Sequence, residues 1–495
     1  MRVLVRLAYT GRQTPLSSKG ITIPTPQLRV AIVGAGPAGI YAADILAKTE
    51  VDVAIDLFER LPAPYGLVRY GVAPDHPRIK GIVNSLYKIL QRGDMRLIGN
   101  VDIGTDLTVA ELRELYDAVI FATGAIRDAE LNIPGIDKQG SFGAADFVSW
   151  FDGHPDVPRT WPLQAEQIAV IGNGNVALDV ARILGKHVKD LMSTEIPQNV
   201  VEGLAASPVT DVHIFGRRGP AQAKFTPLEL REMGQIPDVD VVVYPEDFEF
   251  DEASEAAIEA SNQTKQVVKA LTDWTLRDPE DMTASRRIHL HFLHRPVEIL
   301  GDDDVRGLRT ERTELTGDGG VRGTGEFQEF EVQAVYRAVG YFGSSIPEVP
   351  FDPVTGVIPN EAGRVLDEQG EHVRGLYATG WIKRGPVGLI GSTKSDARET
   401  ITNLVQDLTA GMESGALPAG RAGAGADDPK QILERLRADG VPYTSWEGWE
   451  LLDAHERALG EAQGRERVKV VPREEMTQIS RNDQLAHADP VSGAG

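Results

Sequence analysis

The residues with the clearest chemical purpose in this 495-residue chain are glycines that follow apolar runs. Gly34, Gly36 and Gly39 come directly after the strand formers of residues 28–33 and open an apolar helical run. In this spacing the first glycine makes a tight turn, the second lets a pyrophosphate approach the backbone, and the third lets the helix pack closely on the strand. The helix N-terminus presents unpaired N–H groups and a positive dipole end to phosphates. The motif therefore predicts a dinucleotide site.

A carboxylate follows at the place where such a site needs one. Glu59 ends the strand-like run of residues 53–58 and lies twenty residues after Gly39. A carboxylate there accepts hydrogen bonds from ribose hydroxyls. Asp52 and Asp56 also fit the spacing, but Glu59 lies at the carboxyl end of the strand, where ligands bind. The glycines without the acid would equally describe a turn in a generic α/β protein.

Two strand-like segments that end in Ala-Thr-Gly, residues 119–124 and 376–380, lie far apart in the chain. FAD is longer than NAD and needs a remote strand end to hold its flavin half. Residues 385–391 and a helix expected from Ser392 follow the second segment. The N-terminus of that helix can stabilise negative charge on a reduced flavin. The first site is therefore predicted to hold FAD.

A second fingerprint of the G-x-G-x-x-A form spans residues 172–177, after the apolar run 167–171. At the end of the next expected strand, residues 212–215, the acid is missing and Arg217 and Arg218 stand in its place. Two guanidinium groups pair with a 2′-phosphate, which a carboxylate would repel. The second site is therefore predicted to prefer NADP(H), the alternative being an exposed arginine pair without a ligand.

Composition limits the other functions that the chain can have. With no cysteine it has no disulfide, no thiol pair and no Cys-ligated iron–sulfur cluster, so redox chemistry needs a bound organic cofactor. The balance of 51 basic against 73 acidic residues gives a charge of −22, which disfavours sequence-independent binding of nucleic acid. No run is long and apolar enough for a membrane span, and a cytoplasmic location is expected.

The remaining segments organise these sites. Strands expected at residues 119–121, 212–215 and 332–336 alternate with helical stretches, which predicts parallel α/β architecture. Residues 252–276 read as helix, and residues 415–426 as a flexible loop. Residues 1–27 carry four basic and no acidic side chains, which is typical of a transit peptide, the alternatives being a disordered tail or an overextended start site. The tail from residue 487 is expected to be disordered.

Together the motifs resemble ferredoxin–NADP reductases of the adrenodoxin reductase type. The likeness runs from about residue 28 to residue 412, and the segment WEGWELLDAHE also fits. It is carried by VAIVGAGPAGIYAADIL, PYGLVRYGVAPDHPRIK, VIFATGA, AVIGNGNVALDVARIL, IFGRRGPAQAKFTPLELREM and YATGWIKRGPVGLIGSTKSDA. The resemblance implies an α/β fold with two Rossmann-like domains, the NADP domain being inserted into the FAD domain. The expected divisions are an extension at 1–27, an FAD domain at 28–125 and 346–495, and an NADP domain at 126–345.

The resemblance also implies which residues form the sites. FAD contacts are expected from the glycine loop, the acid and two later segments: Gly34, Gly36, Ala38, Gly39, Glu59, Leu67, Val101, Trp381, Gly388, Leu389 and Ile390. NADP contacts are expected from Gly172, Asn173, Gly174, Asn175, Arg217, Arg218, Glu229 and Gly388. His76 and Glu232 resemble a buried His–acid couple near the flavin and are the catalytic candidates, the alternative for His76 being a satisfied turn histidine. Tyr65 departs from the tryptophan that relatives often carry there.

The implied reaction is hydride transfer between NADPH and FAD, followed by single-electron transfer to a ferredoxin-type iron–sulfur protein. Such partners are usually acidic, so a local basic face is expected to dock them. The candidates are Arg231, Lys224, Lys265 and Lys269, with Lys383 and Arg384 near the flavin end. Three other functions stay open: a flavin subunit of a larger complex, like that of glutamate synthase, a flavin monooxygenase, and a non-catalytic flavoprotein binding module.

Overall fold

The computed structural model describes residues 28–388, 390–413 and 430–481. The expectations for residues 1–27, for the loop at 415–426, for the tail from residue 487 and for Leu389 lie outside the described residues. Within the described ranges, no helix combines the length and the apolar character that crossing a bilayer requires.

The first sheet is parallel in its centre and antiparallel at one edge. From that edge its strands are Asn360–Glu361, Arg364–Leu366, His372–Ala378, Ala118–Phe121, Leu28–Val33, Val53–Glu59 and Arg96–Gly99. Leu376 pairs with Val119 in parallel register, so the two Ala-Thr-Gly segments follow neighbouring strands although the chain separates them widely. Both segments therefore end at the same edge of the sheet as the first glycine loop, because Val30 in turn pairs with Ala118.

Helices cover both faces of this sheet. Alternate side chains of the first strand point to opposite faces, so that Val30 and Ile32 lie in a different core from Ala31 and Val33. The helices are Pro37–Leu46, Leu67–Tyr70, Pro77–Lys80, Val83–Leu90, Val109–Leu115, Trp381–Arg384 and Ile390–Glu413. The last of these packs against Pro37–Leu46 and begins two residues before the expected Ser392.

The second sheet is parallel, and the chain enters it after leaving the first sheet and before returning there. Its strands lie in the order Ser141–Gly143, Ala334–Arg337, Gln167–Ile171, Asp211–Phe215, Arg286–His291 and Val239–Val243. Its helices are Ala144–Phe151, Asn175–Gly185, Gln198–Ala205, Pro227–Met233, Glu252–Ala260 and Asn262–Thr275, with short 3₁₀ turns at Val188–Asp190, Pro220–Gln222, Pro245–Asp247 and Pro279–Asp281. The helical prediction for 252–276 is confirmed with one break, where Ser261 caps the second helix by accepting from the Thr264 N–H at 3.2 Å.

Two further β structures were not predicted. One is an antiparallel sheet, which lies in the chain after strand Arg286–His291 and before strand Ala334–Arg337 of the second sheet. Its strands are His294–Leu300, Gly307–Leu315 and Val321–Phe330. A small antiparallel ribbon pairs Arg127–Asp128 with Tyr341–Phe342. The ribbon joins the outgoing and returning connections between the two larger sheets.

The C-terminal segment ties the two sheets together through buried charges. It contains the helices Gln431–Ala438, Trp446–Glu461 and Arg473–Ser480. Arg69 donates to Glu456 through both terminal nitrogens at 2.9 and 2.5 Å, and both side chains are buried. Lys469, also buried, contacts Glu195 at 2.8 Å and the Arg69 carbonyl at 2.7 Å. Removing one partner of such a buried pair costs about 3–5 kcal/mol, so this network resists separation of the two sheets.

Candidate functional site

The first glycine loop is shaped by contacts that only glycine permits. Gly34 has φ +109°, and a Cβ there would lie 2.6 Å from the Ala122 carbonyl oxygen. A Cβ on Gly39 would lie 1.9 Å from the Gly34 carbonyl oxygen, so the helix packs directly on the turn. A Cβ on Gly36 would meet only the Gly66 Cα, at 3.8 Å. Packing within the protein therefore requires glycine at positions 34 and 39. At Gly36 the backbone is accessible, which suits the binding of a pyrophosphate.

Glu59 is held at the end of its strand by the same loop. Its carboxylate accepts from the Ala35 N–H at 2.9 Å and from the Leu61 N–H at 3.1 Å. Burial raises the pKa of Glu59, although these two N–H groups oppose the shift. The Val101 N–H donates to the Glu59 carbonyl at 2.9 Å, so the structure brings these two predicted residues together.

The two later segments expected at this site also meet the first loop. Gly380 has φ +77°, and a Cβ there would lie 2.6 Å from the Ala38 Cβ, which places Trp381 at the start of the next helix beside the loop. Leu67 follows Gly66, whose own Cβ would lie 3.1 Å from the Gly36 Cα. Ala38, Leu67 and Trp381 therefore surround one glycine loop.

Gly388 lies just before the long helix Ile390–Glu413, and it is exposed. Its φ is +85°, and a Cβ there would lie 2.5 Å from the Ser392 Oγ. Tyr65, the departure noted in the sequence, is buried and packs edge-on against Trp449 with ring centroids 5.7 Å apart. The helix Trp446–Glu461 thus supplies the aromatic partner for this position.

The second glycine loop repeats the geometry of the first. Gly172 has φ +145°, and a Cβ there would lie 2.2 Å from the Ala338 carbonyl oxygen. A Cβ on Gly174 would meet no atom of the described residues within 4 Å, so this backbone is accessible to a ligand. Asn175 fixes the following loop by accepting from the Thr226 N–H at 3.0 Å. The Asn173 amide lies against Gly216, where a Cβ would approach its Nδ2 to 2.6 Å.

Arg217 and Arg218 occupy the end of the neighbouring strand, as predicted. Arg217 is exposed and Arg218 is half-buried. Among the residues that the structure describes, neither guanidinium lies within ion-pair distance of a carboxylate, and the Arg218 Nε is a buried donor without a partner. In a chain with 73 acidic residues, two adjacent unpaired arginines beside an open glycine loop fit an anionic ligand such as a 2′-phosphate.

His76 and Glu232 form a direct contact within a larger buried group of charges. The His76 Nδ1 lies 3.0 Å from a Glu232 oxygen, and its Nε2 lies 2.8 Å from Glu229 and 2.9 Å from Asp179. Glu229, expected at the nucleotide, is itself buried here. Asp179 and Arg182 were missed, although a D-x-x-R pair inside the apolar helix run NVALDVARIL is a signal for them.

This cluster predicts a pH-dependent stability. Burial alone would lower the pKa of His76, but hydrogen bonds to Asp179 and Glu229 outweigh it and raise the pKa to about 9. Because this value lies above the ordinary 6.5, the stabilisation is fully present below pH 6.5 and is lost as pH rises through about 9. The gap in free energy of unfolding between the native chain and His76→Gln should therefore shrink across that window by on the order of 3 kcal/mol. Urea unfolding at several pH values measures the gap, and a gap that stays constant would contradict the ionised cluster.

The basic residues expected to dock the iron–sulfur protein differ in whether they form ion pairs within the described chain. Arg231, Lys224 and Lys265 are exposed and, within the described chain, have no ion pair, whereas Lys269 pairs with Asp273 at 2.6 Å. The prediction for Lys383 is wrong. Its ammonium group is buried against Glu399 at 2.5 Å and Asp396 at 3.1 Å, because the short helix that carries it turns inward. Arg384 pairs with Asp396 at 3.6 Å and offers little free charge.

Comparison with known proteins agrees with this geometry. The pyridine nucleotide-disulphide oxidoreductase family matches residues 28–216. NADPH-ferredoxin reductase FprA of Mycobacterium tuberculosis is 41% identical over 463 residues, covering 91% of this chain and 98% of that protein. The mitochondrial NADPH:adrenodoxin oxidoreductase of Salvelinus fontinalis is 39% identical over 478 residues, covering 93% of each.

A solved structure of Mycobacterium tuberculosis FprA in complex with NADPH shares the fold with a TM-score of 0.84. It is 40% identical in sequence and covers 92% of this chain and 99% of that one. The predicted α/β class with two Rossmann-like units is thereby confirmed, and so is the resemblance drawn from the motifs. The chain belongs to the family of ferredoxin–NADP reductases of the adrenodoxin reductase type, and it is an oxidoreductase.

Proposed function

We propose that the chain carries FAD at the first glycine loop, exchanges NADP(H) at the second, and passes electrons singly to a ferredoxin-type iron–sulfur protein. The main observation in support of this proposal is a difference between the two glycine loops, at residues 34–39 and 172–177, which are otherwise similar. The strand after the first loop ends at the buried Glu59, whereas the strand after the second is followed by Arg217 and Arg218, which pair with no carboxylate among the residues that the structure describes. Named relatives that span nearly the whole chain support the assignment. The divisions at residues 126 and 345 are part of the proposal.

FAD, when bound, supplies a ring that accepts two electrons as hydride and releases them one at a time. The chain's part is to hold it. Glu59 binds ribose hydroxyls, Gly36 admits the pyrophosphate, and the helix N-terminus at Ile390 favours negative charge at the flavin end. The proposed contacts are Gly34, Gly36, Ala38, Gly39, Glu59, Leu67, Val101, Trp381, Gly388, Leu389 and Ile390.

NADP(H) binds at a more exposed place, which suits a cofactor that must leave after each turnover. Gly174 leaves room for the pyrophosphate, and Arg217 and Arg218 pair with the 2′-phosphate. The other proposed contacts are Gly172, Asn173, Asn175, Glu229 and Gly388. With both cofactors bound, the part of these residues would be to hold the nicotinamide in position, because hydride chemistry would need no acid or base from the protein.

His76 of the proposed FAD unit and Glu232 of the proposed NADP unit share a proton where the two units are in contact. His76 carries its proton at neutral pH because the surrounding carboxylates raise its pKa to about 9. We assign this couple to proton exchange with the flavin rather than to the hydride step. Glu232 is the less buried partner, with 36% of its side chain exposed, and it gives the couple access to solvent.

Electrons leave through another protein, because the chain has no cysteine to ligate a cluster of its own. The test of the whole proposal is NADPH-dependent reduction of cytochrome c with and without added ferredoxin. A yellow protein that reduces no cytochrome c in the presence of ferredoxin would instead be a flavin-binding module. Oxidation of NADPH that requires one organic substrate would point to a monooxygenase.

The docking face gives a separate prediction. Arg231→Glu should lower ferredoxin-dependent cytochrome c reduction about tenfold at low salt, since it reverses an exposed charge beside Glu232. Reduction of a small dye by NADPH should be unchanged. Lys88→Glu makes the same charge change on the exposed side of helix Val83–Leu90 and is the matched control. Equal loss of both activities, or an equal effect of Lys88→Glu, would rule out the docking role.

A further inference from the structure

The loop that carries Arg217 and Arg218 is held by backbone hydrogen bonds from one turn and from the strand ends on either side of it. This turn, residues 292–293, leads from the second sheet into the antiparallel sheet. The Gly216 N–H donates to the His291 carbonyl at 2.8 Å, and the His294 N–H donates to the Gly216 carbonyl at 3.0 Å. The Leu293 N–H donates to the Arg218 carbonyl at 3.1 Å, and Leu293 adopts a left-handed φ of +58° to do so. The antiparallel sheet thus begins against the arginine loop.

Thr313, on the second strand of that sheet, completes the attachment. Its hydroxyl donates to the Arg217 carbonyl at 2.8 Å, and its own N–H donates to the Leu293 carbonyl at 2.8 Å. The side chain is buried, with 1% exposed. Thr313 therefore bridges the turn and the loop, and its hydroxyl is the group that anchors the Arg217 backbone from the far side.

The neighbouring residue fixes the strand that carries Thr313. Arg312 pairs with the buried Asp247, whose second carboxylate oxygen accepts from the Phe292 N–H at 2.9 Å. Asp247 also lies near His291 and His294, with ligand atoms within 4.8 Å of one another, but Arg312 already supplies the positive charge there. This group therefore acts as a brace between strand and turn.

These contacts fix the backbone of the loop and leave the Arg217 guanidinium without an ion pair in the described part of the chain. The carbonyls of Gly216, Arg217 and Arg218 are all hydrogen-bonded, while the Arg217 side chain is exposed. We propose that Thr313 is a positioning residue for NADP specificity, which holds the Arg217 main chain so that its guanidinium meets the 2′-phosphate. This rests on the proposed function, in which Arg217 and Arg218 bind that phosphate.

The test measures binding of adenosine 2′,5′-bisphosphate and of 5′-AMP to the purified FAD-loaded protein by calorimetry. Thr313→Val should weaken the bisphosphate about tenfold and leave 5′-AMP unchanged, because it removes one hydrogen bond that fixes the phosphate-binding loop. Thr313→Ala removes the same hydroxyl and serves if the valine variant does not fold. Thr313→Ser keeps the hydroxyl and should restore affinity to within about twofold.

Two further variants separate positioning from loss of general stability. Thr310 lies on the same strand, and its buried hydroxyl contacts the His294 ring rather than the arginine loop. Thr310→Val should therefore leave the affinities for the bisphosphate and for 5′-AMP unchanged. In an Arg217→Ala background, Thr313→Val should have no further effect, since the guanidinium that it positions is gone. A proportional loss for both ligands in Thr313→Val, or an equal effect of Thr310→Val, would overturn the inference. If Arg217→Ala itself left bisphosphate affinity unchanged, the proposed nucleotide site would fail first.

Discussion

Replacing Arg217 and Arg218 together by alanine should abolish the preference for NADPH over NADH. Each guanidinium supplies charge-assisted hydrogen bonds to the 2′-phosphate, and the pair is worth about 3 kcal/mol at an exposed site. We therefore expect kcat/KM for NADPH to fall about 100-fold, while kcat/KM for NADH changes by less than about threefold. Steady-state reduction of a small dye with each nucleotide measures both values.

The control for this double variant must remove similar charge without touching the loop. Arg277→Ala and Arg287→Ala together remove two exposed arginines of the same unit, and the NADPH preference should survive. The native FAD content should persist in both double variants, because Glu59 and its loop are unaffected. A retained NADPH preference after loss of Arg217 and Arg218 would show that other residues recognise the phosphate.

Gly39→Ala should cause the largest loss of stability among substitutions at the FAD loop. In a helix, alanine is normally favoured over glycine by about 1 kcal/mol. Here the added Cβ would lie 1.9 Å from the Gly34 carbonyl oxygen, which is backbone and cannot rotate away. We expect a net loss of about 3 kcal/mol and release of FAD, measured by thermal unfolding and by the visible flavin absorbance.

Gly36→Ala is the matched variant three residues earlier. Its Cβ would meet only the Gly66 Cα, at 3.8 Å, so the protein itself accommodates the methyl group. The variant protein stripped of FAD should unfold at the same temperature as the stripped native chain, yet it should bind FAD weakly, since the methyl occupies the place of the pyrophosphate. Normal FAD affinity in Gly36→Ala would contradict the assignment of this loop.

The elements that sequence predicted well depend on local rules. The turns at Gly34 and Gly39 and the position of Glu59 at its strand end are linked by spacing within one strand–helix–strand unit, whose backbone geometry few residues permit. The replacement of an acid by Arg217 and Arg218 is equally local, because both motifs end the second strand of their unit. These features needed no knowledge of the rest of the fold.

The elements that sequence missed depend on contacts between distant segments. Thr313 meets Arg217 across 96 positions, and Asp179 meets His76 across 103, so neither pairing has a spacing rule. The antiparallel sheet was missed because its strands lack regular apolar alternation, the third being almost wholly exposed. Lys383 was misassigned because its sequence gives no sign that Asp396 and Glu399 lie beneath it.

We propose that one chain holds a resident FAD and selects NADPH at a separate site. The most direct test of this proposal is stopped-flow mixing of the purified yellow protein with NADPH or NADH, followed through the visible flavin band. We expect NADPH to bleach the band at least about 100-fold more efficiently than NADH, and added ferredoxin to restore it. A protein without bound FAD, or equal bleaching by the two nucleotides, would contradict the account.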